Sequence, residues 1–343
     1  MGLPSPNWHT IGLPLLLDRR ELPDELIRAA VTDLTAGTFD EAEAAGLLVA
    51  LRSKGESASE LAAAAAVLRG AMRTLACPAR PVLDTCGTGG DNSGTFNIST
   101  ATALVVAAVG VPVVKHGNRS VSSRSGSADV LAALGVPVES GPHWAQQTLE
   151  TLGIAFCFAP HFHPALAKIA ALRRKLGVRT IFNLLGPLLN PAGAEHQLLG
   201  VGRADLLDSM AGALVRLGTG DALLVCGRDG LDEVSLSGPT LVRRVRGGRI
   251  ESFEWTPADF GLDGVATEDL RADGPEASAA VIRAVLAGTD GPARRVVLAN
   301  SAAALLVAGR AASLPEGVAR AARAIDSGSA LRVLNGLARP VDA

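Results

Sequence analysis

The fold class follows from residues 81–117, which read PVLDTCGTGGDNSGTFNISTATALVVAAVGVPVVKHG. A β-rich run is followed by a glycine-rich loop, an apolar segment of helical composition and a second β-rich run. A strand, a crossover helix and a second strand in this order form a parallel pair. The stretch therefore predicts a mainly parallel sheet with helices on its faces.

The same alternation continues downstream. The helical patterns GSADVLAALG and DLLDSMAGALVRLG alternate with the β-rich runs IAFCFAP, QLLGVG and DALLVCG. The segment TLVRRVRGGRIESFEW, near residues 240–254, predicts a hairpin that turns at Gly247 and Gly248. Two alanine-rich helices are expected near residues 275–287 and 315–336.

Upstream, residues 21–77 show helical spacing of apolar residues and no strand pattern. Gly37 and Gly55 stand where C-terminal caps are expected, and Ser57 or Ser59 can cap the next helix. This segment predicts a small all-helical domain that precedes the larger α/β domain.

Composition argues against several classes of protein. The chain has 343 residues, of which 48% are hydrophobic and 19% charged, as in globular domains. A formal net charge of -2 gives no general attraction to nucleic acid, and no apolar run has the length of a membrane span. The four cysteines form no C-x-x-C pair, and the N-terminus lacks the features of a secretory signal. We therefore expect a reduced, cytoplasmic protein with neither a nucleic-acid nor a membrane partner.

The glycine-rich loop and the helix start after it have the composition of a phosphate site. Residues 84–100, DTCGTGGDNSGTFNIST, combine glycines, which let backbone amides approach a ligand, with polar residues such as Thr95 and Ser99. The dinucleotide fingerprint fails because Asn92 stands at its third glycine, and the lysine of a P-loop is absent. An ordinary glycine turn is the competing interpretation.

A second polar segment, residues 115–125, predicts an anion-binding loop. It concentrates cations, hydroxyls and an amide just before the helix ADVLAALG, with no acid until Asp129. Phosphate oxygens accept hydrogen bonds from all of these groups. A solvated surface loop is the competing interpretation.

Two adjacent acids, Asp232 and Glu233, follow the predicted strand DALLVCG. Open α/β sheets bind ligands beyond the carboxyl ends of their strands. Magnesium takes one or two carboxylates together with substrate oxygens. The pair therefore predicts a magnesium site, whereas exposed surface is the commoner setting for adjacent acids.

Residues 159–191, APHFHPALAKIAALRRKLGVRTIFNLLGPLLNP, form the last chemistry-bearing segment. Its functional candidates are the cations Arg173, Arg174, Lys175 and Arg179. A guanidinium can hold a carboxylate in bidentate fashion, and the two nearby prolines predict a rigid loop for an aromatic ring. A metal site at His161 and His163 lacks further ligands at suitable spacing, and a purely structural role stays open.

Together these motifs resemble the anthranilate phosphoribosyltransferase family. GTGGD…TFNIST, KHGNRSVSS…GSADVLAALG, R-x-x-LG-x-RT-x-FNLLGPLLNP and the later DE pair occur in the order of that family. The resemblance implies a fold like that of nucleoside phosphorylases and these transferases. Residues 1–78 would form the helical domain, joined in space by part of 163–192, and residues 79–343 the α/β domain. The resemblance also implies a homodimer.

The resemblance further implies a reaction and a site. The phosphoribosyl group of phosphoribosyl pyrophosphate would pass to anthranilate in tryptophan biosynthesis, with two magnesium ions. Phosphoribosyl pyrophosphate would be bound by Gly87, Gly90, Asp91, Thr95, Asn97, Ile98, Ser99, Thr100, Lys115, His116, Gly117, Asn118, Arg119, Ser120, Val121, Ser122, Ser123 and Ser127. Anthranilate would contact Gly87, Asn118 and Arg173, and magnesium would be held by Ser99, Asp232 and Glu233. Asn92 departs from the glycine that is common at its position in the family.

The chemistry of this reaction assigns roles to three residues. An aromatic amine is a weak nucleophile, so ionisation of the anomeric C–O bond carries most of the barrier and charge builds on the pyrophosphate. We expect Lys115 and the metal ligand Glu233 to act on that charge, and His116 to accept the amine proton. A pyrimidine nucleoside phosphorylase-like enzyme and a non-catalytic nucleic-acid-binding relative are the alternatives.

Overall fold

The computed structural model describes residues 8–120 and 125–339. Within these residues, no helix combines the length and the apolar character needed to cross a membrane.

The N-terminal lobe is helical. It contains α1 (Trp8–Leu17), α2 (Asp24–Ala36), α3 (Glu41–Lys54) and α4 (Ala58–Ala71). Gly37 ends α2 in the left-handed conformation, and Ser57, rather than Ser59, caps α4 by accepting a hydrogen bond from the backbone N–H of Glu60. The helical character predicted for residues 21–77 is confirmed as far as Ala71, where α4 ends, and is wrong for residues 72–77. Helix α1 is one that the sequence pattern did not predict.

The strands of the described chain form one sheet. They are β1 (Leu83–Gly87), β2 (Val113–Gly117), β3 (Ile154–Phe158), β4 (His196–Gly200), β5 (Asp221–Gly227), β6 (Thr240–Arg246) and β7 (Arg249–Trp255). Their order is β3-β2-β1-β4-β5-β6-β7, with β1 to β5 parallel and β6 and β7 antiparallel. The mainly parallel sheet is confirmed, and so is the hairpin at Gly247 and Gly248.

The remaining helices follow β1 in sequence. They are α5 (Ile98–Ala108), α6 (Ser127–Ala133), α7 (Gly141–Leu152), α8 (Ala159–Phe162), α9 (Ala167–Leu176), α10 (Phe182–Leu185), α11 (Leu207–Arg216), α12 (Gly274–Leu286), α13 (Pro292–Val307), α14 (Leu314–Asp326) and α15 (Ser329–Leu337).

The prediction of one helix near residues 315–336 is wrong. Gly328 adopts φ +70° and separates α14 from α15. The helix α13 was not predicted because eleven of its sixteen residues are buried and none is exposed, and a helix without a polar face lacks the amphipathic period.

Two hydrophobic clusters lie on opposite faces of the sheet. Leu198 and Leu223 belong to one cluster, whereas their neighbours Leu199 and Leu224 belong to the other, as alternation along a strand requires. The first cluster lies against α5 and α12 to α15, and the second against α11 and the helical lobe.

The second cluster also reaches the segment that carries the cationic motif. Ile169 and Leu172 of α9 and Phe182 of α10 are buried together with the side chains of α2 to α4. This segment therefore packs on the helical lobe although it follows β3 in sequence.

Candidate active site

A cavity of about 600 Å³ opens where β1 and β2 end, the position at which open α/β sheets bind ligands. Its walls include the glycine-rich loop after β1, the loop after β2, part of residues 159–189 and the acidic pair after β5. The four segments singled out by the sequence therefore meet in one cavity.

The conformation of the glycine-rich loop, residues 88–97, explains its composition. Gly89, Gly90 and Gly94 have φ angles of +63°, +78° and +68°, a region that side chains with a Cβ rarely enter. Asn92 also has a positive φ, +57°, which asparagine adopts more readily than most residues. Asn92 thus takes a conformation that glycine adopts without steric cost.

Helix α5 begins at the wall of this cavity. Asn97 is its N-cap residue but makes no side-chain cap hydrogen bond, and Asn97, Ile98 and Ser99 line the cavity. The N–H groups of the first turn and the positive end of the helix dipole favour a phosphate there. Thr100 does not line the cavity; its hydroxyl donates to Asn97 Oδ1 at 2.9 Å.

The acidic pair lies beside a third carboxyl group, that of Asp91. Burial, and then the charge of Asp91, raise the pKa of Asp232 to about 7. Burial, and then the charge of Asp232, raise the pKa of Glu233 well above its usual range. A divalent cation relieves this repulsion because it binds the ionised carboxylates.

The chemistry of these donors fits magnesium. Ser99 supplies a hydroxyl in the same cavity wall as the acids, and its backbone N–H opposes the rise in the pKa of Glu233. No group of three or more histidine, cysteine, aspartate or glutamate side chains within residues 8–120 and 125–339 is arranged to hold a metal ion. An ion here would therefore complete its shell with substrate oxygens and water, as magnesium does.

Two glycines at strand ends make room for Asp232. A Cβ atom on Gly87 would lie 2.8 Å from Asp232 Oδ2, and one on Gly200 would lie 1.6 Å from the Asp232 backbone oxygen. The N–H of Gly89 donates to Asp232 Oδ2 at 2.9 Å. The ends of β1 and β4 therefore fix the acidic pair. The sequence did not single out Gly200, because one glycine at a strand end carries no chemical signal.

Lys115 is buried at the end of β2 and lines the cavity. Its Nζ atom donates to the backbone oxygen of Thr85 at 2.6 Å and to Ser99 Oγ at 3.1 Å. Burial lowers its pKa, and the charges of Asp84 and Glu233 oppose that shift. Its ammonium group is thus held between β1 and the start of α5.

Two histidines meet at the cavity. The ring centroids of His116 and His163 lie 4.7 Å apart in an edge-on arrangement, and the Nε2 atoms of both are buried without a hydrogen-bond partner. Burial lowers the pKa of His116 to about 3 and that of His163 to about 4. Both rings are therefore neutral acceptors at physiological pH. From the sequence, His163 was weighed only as a metal ligand, and its contact with His116 was not predicted.

The cationic segment contributes one arginine to the cavity lining. Arg173 lines the cavity, and its guanidinium carbon lies 5.8 Å from the centroid of the Phe182 ring. Arg174 is exposed, and Lys175 pairs with Glu41 on α3. Of the four candidate cations, only Arg173 is therefore placed to meet a ligand in the cavity.

Most predicted site residues line the cavity. They are Gly87, Gly90, Asp91, Thr95, Asn97, Ile98, Ser99, Lys115, His116, Gly117, Asn118, Arg119, Ser120, Ser127, Arg173, Asp232 and Glu233. The guanidinium of Arg119 is already paired with Asp129 at 3.0 Å and Glu139 at 2.6 Å. The predicted residues Val121, Ser122 and Ser123 lie outside the described residues.

Comparison with known proteins gives consistent results. A family model described as "Glycosyl transferase family, a/b domain" matches residues 79–331, and one described as "Glycosyl transferase family, helical bundle domain" matches residues 14–72. The chain is 49% identical over 326 residues to an anthranilate phosphoribosyltransferase of Desulfitobacterium hafniense, covering 95% of this chain and 97% of that protein. It is 48% identical over 330 residues to one of Laribacter hongkongensis, covering 96% of each.

Solved structures of the same enzyme resemble this chain in fold. The crystal structure of anthranilate phosphoribosyltransferase from Thermus thermophilus superposes with a TM-score of 0.89 at 44% identity, covering 95% of this chain and 98% of that chain. The same enzyme from Saccharomyces cerevisiae, in complex with phosphoribosyl pyrophosphate and magnesium, gives 0.87 at 27% identity, covering 97% of each.

Proposed function

Because the chain belongs to the anthranilate phosphoribosyltransferase family, we infer that it transfers the phosphoribosyl group of phosphoribosyl pyrophosphate to anthranilate. The products are N-(5'-phosphoribosyl)anthranilate and pyrophosphate, in tryptophan biosynthesis. The observation that carries this function is the meeting of the glycine-rich loop, Lys115 and the acidic pair in one cavity. Neither a nucleoside phosphorylase nor a non-catalytic relative accounts for that combination at this level of identity.

Phosphoribosyl pyrophosphate is proposed to lie between the two loops. The amides of the glycine-rich loop and the first turn of α5 would bind one end of the diphosphate, and the loop after β2 would bind the other phosphates. The positive φ angles of the glycines and the uncapped start of α5 support this placement. Gly126, whose Cβ would lie 2.4 Å from the backbone nitrogen of Ser120, shows how tightly the second loop folds on itself.

Magnesium use is supported by the yeast structure named for its bound magnesium. We propose that Ser99, Asp232 and Glu233 would hold two ions and that Glu233 would contact both. When bound, magnesium neutralises the diphosphate charge and stabilises the leaving group. The raised pKa values of the two acids and the shortage of preformed ligands among the described residues support a site completed by the substrate.

The protein's own groups supply positioning and charge. The Nζ atom of Lys115, held by Thr85 and Ser99, would lie beside the leaving pyrophosphate, where negative charge builds in the transition state. As a neutral acceptor with an unpaired Nε2 atom, His116 would take the proton that the amine releases. Removing Lys115 is therefore expected to cost more in rate than removing His116.

Anthranilate is proposed to bind on the other side of the ribose, between Asn118, Gly87 and Arg173. The guanidinium of Arg173 would pair with the carboxylate of anthranilate. Burial lowers the pKa of Arg173, and a half-buried cation with no acidic partner in the described part of the chain suits an anionic ligand. A yeast relative has been solved in complex with 4-fluoroanthranilate, which supports an aromatic acid as a ligand of this chain.

The quaternary structure is proposed to be a homodimer formed through the helical lobe. Ile11 and Leu17 on α1 and Val49 on α3 expose their apolar side chains, and exposed apolar side chains on this lobe support a partner surface there. We also propose that the protein is cytoplasmic, since its four cysteines are free. The domain division proposed is 1–78, with part of 163–192, and 79–343.

One assay tests the function. Protein, phosphoribosyl pyrophosphate, magnesium and anthranilate are mixed, and the loss of anthranilate fluorescence is followed with and without a chelator. We expect turnover that chelator abolishes, and a loss of about 10²–10³ in rate for Lys115→Gln. Lys168→Gln, which changes an exposed lysine on α9, is the matched control. Phosphorolysis of uridine without transfer to anthranilate would overturn the assignment.

A further inference from the structure

Arg179 contacts the glycine-rich loop from outside the cavity. It lies between α9 and α10 and is not among the residues that line the cavity. Its Nη2 atom donates to the backbone oxygen of Thr88 at 2.9 Å, although the two residues are 91 positions apart. The side chain thus joins the segment that packs on the helical lobe to the loop after β1.

The guanidinium of Arg179 also lies over Gly90. A Cβ atom on Gly90 would stand 1.2 Å from Nη1 and 2.4 Å from Cζ of Arg179. No other residue fits beneath the guanidinium without displacing it, and the φ angle of +78° at Gly90 also favours glycine. Arg179 therefore contacts the loop at two points, on either side of Gly89.

Charged groups of both signs surround the half-buried guanidinium of Arg179. The carboxylates of Asp232 and Asp91 attract its guanidinium, whereas Arg52 and Arg203 repel it. Both attracting carboxylates lie at the glycine-rich loop, since Asp91 belongs to it and Asp232 accepts a hydrogen bond from Gly89. Because a guanidinium has several donors in a fixed plane, it can keep the Thr88 contact while it faces the acids.

The segment that contains Arg179 also contains Arg173, which is proposed to bind anthranilate. Arg173 lies on α9, six positions before Arg179, and α9 is anchored in the core of the helical lobe by Ile169 and Leu172. One short segment therefore presents Arg173 to the cavity and Arg179 to the phosphate-binding loop.

We propose that Arg179 is a positioning residue that holds residues 88–91 in their diphosphate-binding conformation and ties them to the helix that carries Arg173. It contacts neither substrate. A loop with several glycines in left-handed conformations is otherwise free to rearrange, and ordering it on binding would weaken affinity. The expected effect on the KM for phosphoribosyl pyrophosphate rests on the proposed function. The expected effect on the order of residues 88–91 does not.

The kinetic test compares Arg179→Gln, Arg179→Lys and Arg203→Gln. Arg203 provides a matched control, because its replacement removes one positive charge from the same neighbourhood and it is paired with Asp205, not with the loop. For Arg179→Gln we expect a KM for phosphoribosyl pyrophosphate raised about tenfold, the low end for a hydrogen bond from a charged group. We expect kcat and the KM for anthranilate to stay within about threefold, Arg179→Lys to be intermediate, and Arg203→Gln to match the wild type.

A structural test runs on the free protein. Amide hydrogen exchange in a peptide that spans residues 84–97 should be faster in Arg179→Gln than in the wild type or in Arg203→Gln. An unchanged KM for phosphoribosyl pyrophosphate with unchanged exchange would overturn the proposal, as would an Arg179→Lys variant no better than Arg179→Gln. If Arg179→Gln does not fold, the lysine variant carries both tests. A wild type inactive on anthranilate would defeat the proposed function, while the exchange experiment would still decide the role of Arg179.

Discussion

Replacing Gly200 by alanine should disable the enzyme without touching a substrate-binding group. Gly200 ends β4, and its added Cβ would lie 1.6 Å from the backbone oxygen and 2.6 Å from the backbone carbon of Asp232. Real Cβ atoms essentially never approach within 3.0 Å. Because both obstructing atoms are backbone atoms, no rotamer change relieves the contact.

The size of the effect follows from this geometry. To move from 1.6 Å to 3.0 Å, the Asp232 carbonyl must shift by about 1.4 Å, and the acidic pair must shift with it. A displacement of about 1 Å in a catalytic site can cost about 100-fold in rate. We therefore expect kcat/KM to fall by about 100-fold or more, which is about 2.7 kcal/mol in the barrier.

The assay measures initial rates against magnesium concentration. Gly200→Ala should require more magnesium for half-maximal activity, because its displaced carboxylates hold the ion less well. The matched control is Gly238→Ala, since Gly238 follows the same acidic pair and a Cβ there would meet nothing within 4 Å. Circular dichroism and thermal unfolding establish that both variants are folded. A folded Gly200→Ala enzyme with wild-type kcat/KM and magnesium dependence would refute the reasoning.

Three further predictions concern the histidines, the loop and the acids. The pKa of His163 falls from 6.5 to about 4 on folding, and that of His116 to about 3, so the unfolded chain binds protons that the folded chain cannot. The stability of the protein is therefore complete above pH 6.5 and falls as pH drops towards 4, by at most about 1.4 kcal/mol per pH unit for each ring. Urea unfolding at pH 7.5 and pH 5 should show a smaller difference for His163→Asn, and an equal difference would contradict this account. For the loop, Asn92→Gly should keep the wild-type KM for phosphoribosyl pyrophosphate, whereas Asn92→Val should raise it, since φ +57° costs a β-branched residue roughly 1–2 kcal/mol that glycine avoids and asparagine tolerates better; equal KM values in steady-state kinetics would show that the φ angle is unimportant. For the acids, Glu233→Ala should lower kcat by about 10²–10³ and His116→Ala by less, so a greater loss for His116→Ala in the fluorescence assay would reverse the proposed order of effects.

The sequence predicted which segments would line the cavity wherever local composition carries the signal. Glycines at positive φ, hydroxyls at a helix start and adjacent acids after a strand are all visible within a few residues. Parallel strands end at one edge of the sheet, so motifs that follow β1, β2 and β5 meet there without any knowledge of long-range contacts. This is why Gly90, Lys115 and Glu233, which are far apart in sequence, line one cavity as expected.

What the sequence could not predict depends on close approach between distant segments. Gly200 matters because the backbone of Asp232 passes over it, and Arg179 because Thr88 and Gly90 lie beneath it. His163 reaches His116 only because the segment after β3 folds back onto the helical lobe. None of these contacts leaves a periodic or compositional trace.

The electrostatics of the histidines clarify how the reaction is divided between charge and proton transfer. A ring whose pKa is about 3, as for His116, is a weak base, and it cannot draw a proton from a neutral aromatic amine. Once the new C–N bond forms, however, the nitrogen carries positive charge and becomes strongly acidic, so a weak acceptor is sufficient. Proton transfer then follows bond formation, and it cannot supply the main lowering of the barrier. In the proposed site, the groups that would do so are those beside the departing pyrophosphate: Lys115, the start of α5 and a cation held by Asp232 and Glu233.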